Sequence, residues 1–169
     1  DVDWQISNKK DFSNIISYGK TKSYSSNNFT VKIDAKIPLK HNAQSIYYRF
    51  IVNNIFSPIG TTKTLPTSNP DKFNLAFCSC SNYPAGFFNA YKAAAEANDL
   101  DLWLHLGDYL YEYPMGGYAT SNAESIGRVP SPKHEMVTLS DYRMRHAQYK
   151  SDAGSQALHK NAPLVAVWD

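Results

Sequence analysis

The chain has 169 residues, 43% of them hydrophobic and 14% aromatic, with a formal net charge of +2. That composition belongs to a folded globular protein rather than a disordered one, and the scattered lysines and arginines form no basic stripe of the kind nucleic-acid binding needs. No run is long and apolar enough to span a membrane, and the opening Asp1-Val2-Asp3-Trp4 is not a signal peptide.

Residues 1–65 read as all-β. Val2, Trp4 and Ile6 alternate with polar residues; Phe29, Val31, Ile33, Ala35 and Ile37 do so over a longer run; Ile46, Tyr48, Phe50 and Val52 do so a third time. Ser, Asn, Lys and Gly clusters between them read as loops. Short strands with one apolar face point to a β-sandwich of the immunoglobulin or fibronectin III kind. Three runs are fewer than a sandwich needs, so this domain is expected to be partial. Residues 66–72, with Pro66 and Pro70 among small polar residues, read as a linker.

The pattern then changes. Residues 73–80 form a strand candidate with Phe73, Leu75 and Phe77 on one side. Its end holds the two cysteines of the chain, Cys78 and Cys80. Positions two apart on a strand point the same way, which is poor geometry for a mutual disulfide. Pro84 can open a helix, and the alanine-rich residues 85–98 continue it, with Phe87, Tyr91 and Ala94 as the packing face. Residues 100–106 read as a buried strand, with Leu100, Leu102, Leu104 and Leu106 on one face and Asp101, Trp103 and His105 on the other. Strand, helix, strand is a βαβ unit with parallel strands.

Residues 114–132 are a long irregular stretch rich in Gly, Ser, Asn and Pro. Leaving the sheet directly after Asp108, they are expected to border a substrate entrance as an irregular lid. Thr138 is an N-cap candidate, and Asp141 suits the positive end of the helix that follows over residues 139–150. A short helix over residues 155–160 and a third parallel strand over residues 163–168 complete the chain, with Asp169 directly after that strand.

Three strand ends therefore converge: Ser79-Cys80, Gly107-Asp108 and Trp168-Asp169. In open α/β sheets, ligands bind just past the carboxyl ends of the strands. Thiolate, carboxylate and phenolate are all competent metal ligands, and a metal so held can polarise a phosphoryl oxygen and activate water. Each residue also has a plainer reading. Cys80 is a buried packing residue by type, and Asp108 a turn or cap residue. His105 and His146 read as surface or hydrogen-bonded core histidines, Tyr142 and Tyr149 as aromatic packing, and Arg143 and Arg145 as solvated or salt-bridged.

Four segments shift that balance together: Phe77-Cys78-Ser79-Cys80-Ser81-Asn82-Tyr83, then His105-Leu106-Gly107-Asp108-Tyr109-Leu110-Tyr111-Glu112-Tyr113, then Thr138-Leu139-Ser140-Asp141-Tyr142-Arg143-Met144-Arg145-His146-Ala147-Gln148-Tyr149, then Val167-Trp168-Asp169. In order and spacing they resemble the alkaline phosphatase D family, the PhoD-like branch of metal-dependent phosphatases. Residues 1–65 resemble the latter part of that family's fibronectin-like N-terminal domain. The resemblance implies a partial fibronectin III-like β-sandwich over residues 1–65, a linker over 66–72 and the first part of an α/β metallophosphatase domain over 73–169. It implies Cys80 as an iron ligand, Asp108 as the carboxylate that bridges the metals and serves catalysis, and Tyr142 as a phenolate ligand to iron. Iron and calcium are the implied cofactors, phosphate monoesters and diesters the implied substrates, and a secreted, extracellular or periplasmic location the implied setting.

The family's third motif continues from Trp-Asp into Asp-His-Glu, beyond Asp169. The chain therefore reads as a fragment of a longer protein, with an incomplete and inactive site by itself. The rival reading is a non-catalytic interaction module, with the β-sandwich as binding surface and the βαβ part as scaffold.

Overall fold

The computed structural model describes residues 1–97 and 99–168, with the backbone but not the side chain of Leu39. The chain forms two compact units. One comprises Asp1–Phe73 with Lys160–Pro163, the other Asn74–His159 with the closing segment from Leu164.

The first unit is built on strands β1 (Val2–Ser7), β2 (Ile15–Thr21), β3 (Ser45–Val52), β4 (Ile55–Phe56) and β5 (Gly60–Lys63). They form one five-stranded antiparallel sheet. A second, facing sheet is not formed among the described residues of this unit. β1 lies between β2 and β3, with Trp4 opposite Phe50 and Ile6 opposite Tyr48. Val2, Ile6 and Ile46 are the buried apolar positions that this register aligns. Asn53 and Asn54 close the β3–β4 hairpin with φ of 49° and 63°. Two successive left-handed residues make the turn whose twist suits a tight hairpin, and asparagine tolerates that backbone.

One expected strand is absent. The alternation at Phe29, Val31, Ile33, Ala35 and Ile37 predicts a ladder, but residues 31–38 form none. Exposure does alternate, with Val31, Ile33, Ala35 and Ile37 half-buried and Lys32, Asp34 and Lys36 exposed. Alternation records only which side chains face inward. A strand also needs a neighbour's N–H and C=O groups, and no described backbone hydrogen bond reaches residues 31–37.

The second unit holds β6 (Leu75–Cys78), α1 (Asn89–Glu96), β7 (Leu102–His105), α2 (Leu139–Ser151), α3 (Ala153–Asn161, whose last two residues group with the first unit) and β8 (Leu164–Ala166). β6, β7 and β8 form a parallel three-stranded sheet in that order. Cys78, His105 and Ala166 lie in register across it, so the segments that follow all leave along one edge.

The helix read over residues 85–98 starts later. Pro84 sits in a separate 3-10 turn, Tyr83–Ala85, and α1 begins only at Asn89; Asn98 lies outside the described residues. Phe87 falls before the helix and is exposed, while Tyr91 and Ala95 are buried.

Of the two faces of β7, the one that carries Trp103 and His105 is the buried one. Trp103 and His105 are 0% and 1% exposed, whereas Leu106 is 54% exposed and Phe77, on the same side as the leucines, 72%. Tyr91 of α1 and His159 of α3 explain this. Their rings pack on Trp103 at 5.5 and 5.0 Å, so the helices cover the Trp–His face.

Candidate functional site

Two turns leave the ends of β6 and β7 side by side. Leu106 N–H donates to Cys78 O at 2.8 Å, Cys80 N–H to Gly107 O at 3.2 Å, and Ser81 N–H to Asp108 O at 3.0 Å. The parallel ladder is thus continued beyond the strands by main-chain bonds. Cys80 and Asp108 both adopt left-handed backbone, with φ of 59° and 50°, next to Gly107 at 124°. Non-glycine residues in that region carry strain, which is concentrated at functional sites and persists only where the surroundings enforce it.

The side chains of the two turns meet. Cys80 Sγ lies 3.3 Å from Asp108 Oδ2, and Tyr111 Oη donates to the same oxygen at 3.1 Å. Burial pushes the Tyr111 phenol well above its ordinary pKa, and its bonds to Asp108 and Cys80 push it the same way. The phenol therefore keeps its proton and remains a donor. Tyr111 was not singled out from the sequence; the available signal was its place three residues after Asp108, in a turn that brings it back over the carboxylate.

Asp108 and Tyr111 also line a cavity of about 1030 Å³, together with Tyr142, His146, Lys150 and Trp168. Tyr142 comes from the first turn of α2 and is 42% exposed. It shares this cavity with Asp108, whereas Cys80 reaches Asp108 directly. The position of α2 is set by a capping box. Asp141 N–H donates to Thr138 Oγ1 at 3.2 Å, and Asp141 Oδ2 accepts from Thr138 N–H at 2.8 Å. Those bonds, first from the Thr138 backbone, hold the Asp141 carboxyl far below the usual carboxylate range.

His105 is a buried core histidine, bonded through Nε2 to the hydroxyls of Ser81 and Tyr91. Burial pulls its pKa down, opposed by Asp108 and the Gly107 backbone. His146 stacks on Tyr109 at 5.8 Å, and Tyr109 Oη is 2.7 Å from His159 Nε2.

The long loop is held by two buried arginines. Arg145, read from the sequence as solvated or salt-bridged, is instead 1% exposed. Its guanidinium donates to the carbonyls of Ser131 at 3.1 Å, Pro132 at 2.9 Å and Tyr113 at 3.3 Å, and to Tyr111 O. Five donors in a rigid fork suit such a set of main-chain oxygens. Arg128 pairs with Asp152 at 2.8 Å, donates to Tyr83 O at 2.7 Å and lies 3.5 Å above the Tyr83 ring. None of residues 114–132 lines the cavity; the flanking Tyr113 and Met136 do. The loop thus braces the wall instead of forming it.

Thiol, carboxylate and phenol form a donor set that suits a transition metal. Two of those donors already touch beside an open cavity, so the residues present fit part of a metal centre. No group of three or more His, Cys, Asp or Glu side chains gathers among the described residues, and Asp169, the third strand-end acid, lies outside them.

A parallel strand–helix–strand core with acid and thiol at its strand ends defines an α/β protein, and in open α/β sheets ligands bind at the edge where the strands end. Comparison with known proteins narrows this. The profile of the PhoD-like phosphatase family matches residues 75–169, and that of the PhoD-like phosphatase N-terminal domain matches residues 1–66. The chain belongs to the PhoD-like phosphatase family. It is 39% identical over 172 residues to alkaline phosphatase D of Bacillus subtilis (strain 168), a match covering 99% of this chain and 28% of that protein. A solved structure of PhoD superposes with a TM-score of 0.85 at 38% identity, over 99% of this chain and 31% of that one. The chain thus spans less than a third of the length of these relatives.

Proposed function

We propose that the whole protein hydrolyses phosphate monoesters and diesters, with iron and calcium as its metals and with Cys80, Asp108 and Tyr142 among their ligands. The observation that carries this reading is Cys80 Sγ at 3.3 Å from Asp108 Oδ2, on turns that leave neighbouring parallel strands. Family membership and the shared cavity at Tyr142 support it. Thiolate and phenolate suit ferric iron, and carboxylate oxygens suit calcium. When bound, such metals offset charge on phosphoryl oxygens and lower the pKa of water.

The residues of this chain have complementary parts. Asp108 supplies the carboxylate, and Tyr111, with its proton retained, donates to Oδ2 and fixes the plane of that group. Lys150 and His146 face the same cavity, where an ammonium attracts an anionic substrate and an imidazole N–H can donate to a phosphoryl oxygen. The first unit would serve as a fibronectin III-like domain, joined through residues 66–72 to a metallophosphatase domain beginning at residue 73. The protein would work outside the cytoplasm, in the periplasm or beyond the cell.

The test uses the full-length protein and its Asp108→Asn, Cys80→Ser and Tyr142→Phe variants, with metal content and hydrolysis of a phosphate monoester and a diester as readouts. Asp108→Asn should lower kcat/KM by roughly 100-fold or more, since it removes charge at the reacting centre. Cys80→Ser should lose iron while staying folded. Unchanged iron and full activity in Cys80→Ser would overturn the assignment.

A further inference from the structure

Beneath the two turns lies a closed polar cluster in an aromatic interior. Ser81 Oγ is 2.9 Å from His105 Nε2 and hydrogen-bonded to Tyr91 Oη, which is itself 3.0 Å from the same ring nitrogen. All three residues are buried. The two hydroxyls and the ring nitrogen lie within hydrogen-bond reach of one another, and either imidazole tautomer satisfies two of the three contacts. The Gly107 backbone lies near enough to act on the His105 ring, and Nδ1 has no hydrogen-bond partner among the described residues.

A serine beside a histidine is also the arrangement of a nucleophile and its base. Here no substrate can reach it, because the rings of Tyr91, Trp103 and Tyr109 close around His105 at 6.4, 6.4 and 5.0 Å. What the cluster does touch is the framework of the site. Ser81 follows Cys80 directly and donates its N–H to Asp108 O. His105 ends β7 and abuts Gly107. Tyr91 anchors both from α1. The left-handed backbone at Cys80 and Asp108 needs surroundings that enforce it, and this triangle is a buried side-chain group next to both turns, in addition to the Cys80–Asp108 contact itself.

We propose that Ser81, Tyr91 and His105 are positioning residues, a buried hydroxyl–imidazole clamp that holds the turn carrying Cys80 in register with the turn carrying Asp108. The proposal rests on the reading of Cys80 and Asp108 as metal ligands for its effect on activity, but not for its effect on the turns. Ser81→Ala and Tyr91→Phe each remove one hydroxyl and leave the packing nearly unchanged, and the double variant removes both.

The experiment is made on the full-length protein. Amide hydrogen exchange is followed over residues 79–81 and 106–109 in metal-free protein. Retention of iron under a chelator and steady-state hydrolysis of bis-p-nitrophenyl phosphate are followed in the loaded protein. Each single variant should speed exchange at both turns by roughly tenfold, since the remaining buried groups lose a partner, while exchange in β1–β3 stays as in the wild type. It should lower kcat by roughly 10- to 100-fold through misplacement of the ligands, with KM within about twofold, and shed iron faster. The double variant should be little worse than either single one, because the triangle acts as a unit. If Ser81→Ala does not fold, Tyr91→Phe carries the same test with its ring in place. Unchanged exchange at the two turns in either folded variant overturns the clamp. A wild-type protein that neither binds metal nor hydrolyses the ester overturns the functional reading, and the exchange data then still decide the clamp.

Discussion

The two turns at the strand ends bear the site and the long loop over residues 114–132 braces the wall beside it, and they are held by opposite means. The turns are laced by main-chain bonds, from Cys80 to Gly107 and from Ser81 to Asp108, and carry left-handed backbone at both candidate ligands. The loop has no ladder of its own and is tied down by side chains, chiefly the buried guanidiniums of Arg128 and Arg145. Parallel strands can continue their register for a few residues, which is enough to place a thiol against a carboxylate. An irregular segment must borrow its order from cations that satisfy many carbonyls at once.

The comparison can be broken most forcefully on the loop side. Arg128→Met would leave Asp152 buried without its cation, and breaking such a pair costs about 3–5 kcal/mol. The urea midpoint should fall accordingly. Exchange should rise over residues 114–132 before it rises at the turns; equal loosening of both regions would show that they are not held separately. On the turn side the effect is smaller and of the opposite sign. A left-handed residue other than glycine costs about 1–2 kcal/mol, so metal-free Cys80→Gly should be more stable than Cys80→Ala by about 1 kcal/mol in the same denaturation. Equal stability would remove the argument for strain at Cys80.

The gentlest test uses pH. Burial pulls His159, the partner of Tyr109, down to about 4, with Lys150 and His105 adding to the shift. An unfolded histidine titrates near 6.5, so between these values the unfolded chain binds the extra proton. The contribution is complete above about pH 6.5 and is lost as the pH falls towards 4. His105 and His146 are lowered by burial too and act in the same direction. His159→Asn should flatten part of this slope in denaturation series at pH 7 and pH 4.5.

Local signals were the legible ones. Thr138 with Asp141 announces a helix start because a capping box needs only four residues, and Ile46 to Val52 alternate in a strand that has neighbours on both sides. Phe29 to Ile37 alternate as well and form no strand, since pairing depends on chain elsewhere. The leucines of β7 were separable from Trp103 and His105 by period, but period cannot say which face a helix will cover. Arg145 was misread because charge predicts solvent or a carboxylate, whereas backbone oxygens have no sequence signature. Tyr111 was overlooked because its role depends on a turn that brings it back over Asp108. The parallel order of β6, β7 and β8 follows from strand–helix–strand spacing, and with it the common edge of Cys80 and Asp108.

The exposed side of the parallel sheet bears on how such a chain is made. Phe77, Leu106, Val165 and Val167 stand together on it, each more than half exposed. Residues 74–168 taken by themselves present a bare greasy plate flanked by the strand edges of β6 and β8. Such surfaces attract chaperones and other unfinished chains, and contiguous apolar patches drive self-association in water. Residues 74–168 produced alone would be prone to insolubility for this reason, even with every main-chain bond at the site correctly formed.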